Sequence, residues 1–367
     1  MDNKTGANAP PVKVFKKKGG FHTLKIGEKR MSVPDISVKH HHLKDHIKQP
    51  EKRKSFTHLN LSELQITSGK KYITGTQQGK DDDGKLKTNQ DRFVYIENIF
   101  NIQNCNIYGI LDGHGSNDHF VSEFCAEEIK KFFTDEANFI TKQNKTITKE
   151  VTHQKLTHNN YTFLKKFYTN LQKELIDATF DTHFSGTTCV IVYQIDDKII
   201  CSNIGDSRAI LLNKNVKNEY DIFELSKDQK PTNPEEQKRI LESGGEIAPC
   251  DDEIDLDGPK RVWVKGEKFP GIAISRTLGD EVGKSVGVIC TPEFIETDVN
   301  KNSFLVICAS DGVWEFLSNE EVRDIIVKNL NGGDYNNFVK AIIKESNIQW
   351  ENEGVVRDDI TCVIHFF

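Results

Sequence analysis

Four aspartates stand where apolar runs begin or end. Asp91 precedes Phe93-Val94-Tyr95-Ile96, Asp112 closes Ile107-Tyr108-Gly109-Ile110-Leu111, Asp311 follows Phe304–Ala309, and Asp358 precedes Ile360–Phe367. Aspartate is poor in strands, and burying its charge costs several kcal/mol unless it is paired or bound to a cation. Four such strand ends gathered at one edge of a β-structure would offer hard oxygen donors, with no Cys or His competing, which favours Mg²⁺ or Mn²⁺ over zinc. Two ions roughly 3.5–4 Å apart can share a water, lower its pKa and clamp both oxygens of an in-line displacement. Hydrolysis of a phosphate ester suits that machinery. A Ser or Thr alkoxide leaves poorly without a proton, and His114, two residues past Asp112, is the candidate general acid.

The elements that must carry these residues alternate. Strands are expected at Lys71–Thr74, Phe93–Ile96 and 107–112, the last two as a hairpin, followed by amphipathic helices at about 117–133 and 161–180. Between those helices, 134–158 is polar and reads as an inserted surface loop. Strands follow at Thr187–Ile195, Lys198–Asn203 and Ala209–Leu212, then a short helix at 234–243 stopped by Gly244-Gly245, and an acidic exposed stretch at 246–270. Strand Phe304–Ala309, helices at 319–330 and 334–347, and strand Ile360–Phe367 complete the chain. Hairpin-like spacing predicts an α+β fold with mainly antiparallel sheets packed face to face and helices outside.

Charge is unevenly placed. Residues 1–56 carry 14 Lys and Arg against 5 Asp and Glu, a balance of +9, while the remainder carries 35 against 50, a balance of −15. The first 56 residues, with Lys16-Lys17-Lys18 and His40-His41-His42, read as a basic tail without sustained periodicity, and 57–367 as the catalytic domain. An acidic body without a basic, aromatic-rich groove argues against nucleic acid as substrate. No apolar run approaches the roughly 20 residues of a membrane span, and the polar, lysine-rich start lacks a secretory signal. The eight cysteines show no zinc-ligand spacing and mostly sit in apolar runs, as reduced thiols would in an intracellular protein, cytoplasmic or nuclear. Nothing indicates an oligomer, so a monomer is expected.

Seven stretches together resemble the metal-dependent Ser/Thr protein phosphatases of type 2C (PPM). They are Asn-Gln-Asp-Arg (89–92), Leu-Asp-Gly-His-Gly (111–115), Ser-Gly-Thr-Thr-Cys (185–189), Asn-Ile-Gly-Asp-Ser-Arg-Ala (203–209), Gly-Ile-Ala-Ile-Ser-Arg-Thr-Leu-Gly-Asp (271–280), Ala-Ser-Asp-Gly-Val-Trp-Glu (309–315) and Arg-Asp-Asp-Ile-Thr-Cys-Val (357–363). They fall in the family's order over about 70–367. The resemblance implies a central β-sandwich of two mainly antiparallel sheets flanked by α-helices on both sides, and phosphorylated proteins as substrates. It assigns Asp91, Asp112, the Gly113 carbonyl, Asp311 and Asp358 to two Mg²⁺ or Mn²⁺ ions, with Asp112 bridging. Asp206 and Glu315 would join Asp311 at a weaker third ion, and a flap at about 215–270 would lie beside the site. Gln90 replaces a frequent Glu, Glu315 a frequent Asp, and Asp359 a frequent Asn, which leaves Asp358 and Asp359 as rivals, with register favouring Asp358. Where relatives place a phosphate-gripping Arg, Lys85 or Lys87 must serve, and Lys87 is the choice. The 185–188 and 275–280 stretches carry no obvious catalytic group and are assigned to packing and turns, with Asp280 structural.

Overall fold

The computed structural model describes residues 22–26, 29–33, 64–69, 71–81, 83–142, 147–250, 258–332 and 334–367. The chain divides into two units, Met1–Thr57 and His58–Phe367. In the first, the described residues form one antiparallel hairpin, β1 (His22–Ile26) with β2 (Lys29–Val33), an alternation too short to register as a period in the sequence. The lysine run at 16–18 and the histidines at 40–42 lie outside the described residues.

The second unit opens with β3 (Gln65–Ser68), β4 (Tyr72–Gln77), β5 (Asp91–Ile96) and β6 (Cys105–His114), then helices α1 (Asp118–Lys142) and α2 (Lys149–Ile176). Next come β7 (Gly186–Thr187), β8 (Cys189–Ile195), β9 (Lys198–Ile204), β10 (Arg208–Lys214), β11 (Tyr220–Glu224), α3 (Pro234–Glu242), β12 (Gly245–Ala248), β13 (Arg261–Val264) and β14 (Pro270–Ile272). The remainder is β15 (Leu278–Gly279), α4 (Glu281–Lys284), β16 (Glu293–Asp298), β17 (Ser303–Ala309), α5 (Asp311–Trp314), α6 (Asn319–Asn329), α7 (Asn336–Glu353) and β18 (Ile360–Phe366).

Two large sheets form a sandwich. One runs β11-β10-β17-β18-β4-β3, and the other β15-β7-β6-β8-β9-β16 with β5 also on β6. Every ladder in both is antiparallel. Period-two patterning accounts for the layers. On β6, Ile107 and Leu111 face α1 and α2 with Val121, Ile129, Leu164 and Leu171. Its alternate residues, Tyr108 and Ile110, meet Val306, Cys308 and Val363 of the opposite sheet. The outer face of that sheet is covered by Val313, Val322, Ile326, Val339 and Ile343 of α5–α7. Helices therefore flank the sandwich on both sides. All eight cysteines are free thiols, six of them buried.

The interval 134–158 is not a surface loop. Its described residues continue α1 to Lys142 and resume as α2 at Lys149, whose N-terminus is capped by the Thr148 side chain accepting from the Val151 N–H. The apolar side of this segment is narrow, with Leu156 and Thr152 as its fully buried members in α2, so the sequence shows mostly the solvated face. The expected helix at 161–180 is the second half of α2, which is interrupted at His158–Tyr161, where Asn159, Asn160 and Tyr161 have positive φ. The interval 215–270 is likewise structured: β11 belongs to a main sheet, and β12–β13–β14 form a small antiparallel sheet of their own. The residues 251–257 between them lie outside the described residues.

The inward face of β18 carries a histidine. His365 on β18 is fully buried, stacks on Tyr108 at 4.6 Å between centroids, and shares a 2.7 Å hydrogen bond between Nδ1 and the Tyr95 hydroxyl. Burial, reinforced by the Lys71 charge, pushes this imidazole down to about 3. A proton therefore favours the unfolded chain. The stability held by the neutral ring is complete above about pH 6.5 and is lost as pH falls toward the folded value. Denaturant titrations between pH 7 and 5 should show the native state weakening. His365→Phe should flatten that slope by up to ~1.36 kcal/mol per pH unit; an identical slope in the variant would mean that His365 is not buried neutral.

Candidate active site

The hairpin of β5 and β6 sets Asp91 directly opposite Asp112, its register partner. The second sheet supplies the others. In β17 and β18, Ala309 pairs with Cys362, so Asp311, just past the end of β17, meets Asp358 and Asp359, just before the start of β18. Ser310 stitches the two sheets together. Its hydroxyl donates to Asp91 Oδ2 at 2.8 Å and accepts from the Thr361 N–H at 3.1 Å. Asp112 is fixed by its backbone: its N–H donates to Thr188 Oγ1 at 3.0 Å, and its carbonyl accepts from the Thr188 N–H at 2.8 Å. The Gly113 N–H donates to the Gln90 carbonyl at 3.2 Å. Asp206 follows β9 in a turn where Gly205 takes φ +102°, a conformation that a side chain would strain.

These carboxylates share one electrostatic field. Burial pushes Asp91 up to about 7; the charges of Asp359 and Asp358 add to the rise, while hydrogen bonds from Thr361 and Ser310 oppose it. Burial holds Asp112 well above the usual carboxylate range, aided by Asp311, Asp91, Asp358 and Asp206. Asp311 is raised well above it as well, again by burial first and then by Asp206 and Asp358. Asp91 Oδ1 and Asp311 Oδ1 are buried without a hydrogen-bond partner. Unpartnered buried carboxylate oxygens in a cluster of like charges are the donor set that a hard divalent cation takes.

Two lysines flank the cluster. Lys87 Nζ pairs with Asp358 Oδ1, and also reaches Asp359 Oδ2 at 3.3 Å and Gln90 Oε1 at 3.0 Å. Lys230 Nζ pairs with Asp206 Oδ2 and feels Asp311 and Glu315. As the side chains lie, no three His, Cys, Asp or Glu groups among the described residues converge on one ion-sized point; Asp358 and Asp206 rest on the lysines.

The expected residues are thus largely gathered. Lys87, expected to grip phosphate, has its ammonium beside Asp358, Asp359 and Gln90. Lys85 is exposed and pairs with Asp83. The rivals Asp358 and Asp359 point to different tasks. Asp359, 1 % exposed, accepts the N–H groups of Gly79 at 2.5 Å and Gln90 at 2.9 Å, while the Asp358 side chain remains 40 % exposed beside Lys87. Glu315 caps the end of α5, exposed, with its N–H on the Asp311 carbonyl at 2.8 Å.

His114 has a partner that spacing could not reveal. Its Nε2 lies 2.7 Å from Oδ2 of Asp280. Burial works against a charged imidazole, but the Asp280 carboxylate outweighs it and raises His114 above its ordinary value. The sequence also gave no sign of Ser310 or Lys230, whose side chains are ordinary until the strand ends meet.

Residues 79–348 match the family model described as protein phosphatase 2C. Among curated proteins, the chain is 28% identical over 308 residues to a probable protein phosphatase 2C 35 of Arabidopsis thaliana, covering 80% of this chain and 82% of that protein. It is 30% identical over 255 residues to a probable protein phosphatase 2C 61 of the same plant, covering 70% and 73%. Among solved structures, it is similar to a serine-threonine phosphatase 2C from Toxoplasma gondii, with a TM-score of 0.68 and 20% identity over 83% of this chain and 98% of that one.

The repulsion has a consequence for stability. Replacing one member of the cluster by its neutral isostere, as Asp112→Asn or Asp311→Asn, should raise the thermal midpoint of the metal-free protein. Mn²⁺ at about 100 times its Kd should add ~2.7 kcal/mol to the parent and much less to either variant. Calorimetry with EDTA and then with Mn²⁺ checks both arms; a midpoint that falls in EDTA would mean the carboxylates do not repel one another.

Proposed function

The chain belongs to the protein phosphatase 2C family and is a protein serine/threonine phosphatase; from that premise we propose that it works through two divalent cations and a histidine general acid at the aspartate cluster. The observation that carries this reading is the pair of orphaned buried oxygens, Asp91 Oδ1 and Asp311 Oδ1, inside one field of like charge. Asp91, Asp112, the Gly113 carbonyl, Asp311 and Asp358 would hold two ions, Mg²⁺ or Mn²⁺, with Asp206 and Glu315 beside a weaker third. When bound, such ions neutralise the phosphoryl oxygens and make a water acidic enough to attack phosphorus at neutral pH.

The chain's own groups do the rest. Ser310 orients the Asp91 carboxylate, and the Thr188 backbone and hydroxyl fix the backbone from which Asp112 projects. Lys87 tethers Asp358 and neutralises part of the cluster, and Lys230 does the same for Asp206. His114 donates a proton to the departing Ser or Thr oxygen, which supports a role its raised proton affinity suits at neutral pH. No helix among the described residues is long and apolar enough to cross a membrane.

Release of phosphate from a phosphothreonine peptide should need Mn²⁺ or Mg²⁺ and stop with EDTA. Metal-independent turnover would sink the ion-based reading, and a folded protein inert with every divalent ion would point to a phosphoprotein-binding scaffold. His114→Ala should slow the peptide by on the order of 100-fold, yet slow p-nitrophenyl phosphate far less, since that leaving group hardly needs a proton. Equal losses on both would reject His114 as general acid.

A further inference from the structure

Two stretches with no evident chemistry, 185–188 and 275–280, converge behind His114. In the ladder of β6, β7 and β15, His114 is paired with Gly186, and Gly186 in turn with Gly279. Gly186 is therefore the single residue between the imidazole strand and the strand that delivers Asp280. A Cβ on Gly186 would collide with Asp280 Oδ2, so only glycine leaves a passage for that carboxylate. Gly279 takes φ +84°, and a Cβ there would meet the Ser185 carbonyl. Asp280 itself sits in the left-handed region at φ 50° and opens α4 without using its side chain as a cap.

That arrangement is expensive. Non-glycine residues seldom adopt the left-handed region, although Asp does so more readily than most, and a buried carboxylate is costly unless paired. Asp280 is 1 % exposed, and its Oδ1 has no hydrogen-bond partner. The segment is nonetheless clamped in place: Gln172 of α2 accepts the Gly279 N–H at 2.9 Å and donates to its carbonyl at 3.3 Å, and the Asp280 N–H donates to the Ser185 carbonyl at 3.0 Å. Lys284 beside it donates to the Thr277 carbonyl at 2.9 Å. Beside Lys284 and the Thr277 side chain, what holds the carboxylate toward the imidazole is the 2.7 Å bond to His114 Nε2.

We propose that Asp280 is a positioning residue for His114: by accepting the Nε2–H across the gap left by Gly186, it fixes the ring and keeps one proton on Nε2, so that the second proton of the imidazolium, on Nδ1, is the one given to the leaving oxygen. The inference rests on His114 acting as general acid. As the P–O bond breaks, its electron pair goes to the Ser or Thr oxygen, which takes the Nδ1 proton. Water supplies the new hydroxyl on phosphorus, and its other proton goes to solvent, from which His114 is recharged. The Nε2–H stays on Asp280 throughout.

Asp280→Asn keeps the shape and removes the charge, leaving an amide that can present NH2 as well as oxygen to the ring. With the phosphothreonine peptide and Mn²⁺, kcat should fall about 10- to 100-fold with KM little changed, while p-nitrophenyl phosphate turnover should stay within about threefold. Mn²⁺ affinity by calorimetry should be unchanged, and His114→Ala combined with Asp280→Asn should be no slower than His114→Ala alone. Gly186→Ala, which displaces the carboxylate without removing it, should give the same split, and it carries the test if Asp280→Asn does not fold. Equal losses on the two substrates, losses that multiply with those of His114→Ala, or weakened Mn²⁺ binding would overturn the proposal. If His114→Ala itself fails to discriminate between the substrates, the general-acid reading falls; if it discriminates and Asp280→Asn does not, only the role of Asp280 falls.

Discussion

Concentrated negative charge, half sunk into one end of a β-sandwich, is the constraint the rest of the domain answers to. Asp91, Asp112 and Asp311 are each lifted by burial and then by one another. Left alone, each would cost several kcal/mol, and together they would push the two sheets apart. The fold responds with fixed donors rather than with full neutralisation. Ser310 serves Asp91, and Lys87 and Lys230 each hold one of the outer aspartates. Two oxygens, Asp91 Oδ1 and Asp311 Oδ1, stay buried without donors among the described residues.

That centre is possible because each sheet is anchored independently. One outer face is sealed by α1 and α2, the other by α5–α7, and the inter-sheet core of Tyr108, Ile110, Val306 and Val363 joins them. The strand ends can then be polar without loosening the core. Asp359 shows the economy of this arrangement. As the neighbour of Asp358 it faces the other way, and its carboxylate gathers the amides of Gly79 and Gln90, clamping the segment that carries both Lys87 and Asp91 to the start of β18. Adjacent residues on an extended chain point in opposite directions, so one aspartate can serve the loop while its neighbour stays with the cluster.

Much of this was legible in the sequence because strands advertise themselves by period, and an Asp at the end of an apolar run violates propensity in a way that needs a reason. The hairpin carrying Asp91 and Asp112, the two-sheet architecture and the helix layers all follow from such patterns. The polar interval 134–158 was not legible as helix, because α1 and α2 expose most of their surface there and bury only a thin stripe. The partners of Lys87 were hidden for a different reason. Its proximity to the site was readable, but its pairing with Asp358 and Asp359 joins residues more than 250 positions apart. Long-range pairings of this kind, including His114 with Asp280 across 166 positions, are products of topology and leave no local trace.

The same logic links the small sheet of β12–β14 to the chemistry. Glu236 of α3 is gripped by Arg239 and Arg276 and takes the Ser275 hydroxyl at 2.6 Å; burial would raise it, but these partners hold it down to about 2. Arg276 also reaches Glu293 at 2.7 Å, and Arg239 the Ser275 carbonyl at 3.0 Å. Ser275 and Arg276 belong to the run that ends in Asp280, so the element entering the small sheet and the segment behind His114 are one braced unit. A buried, fully hydrogen-bonded ion network of this kind is weak as a source of net stability, because desolvation consumes most of the attraction. Its geometric effect is stronger: Glu236 cannot move without releasing buried guanidinium groups. The run that ends in Asp280 is therefore braced by contacts well outside the ring of aspartates.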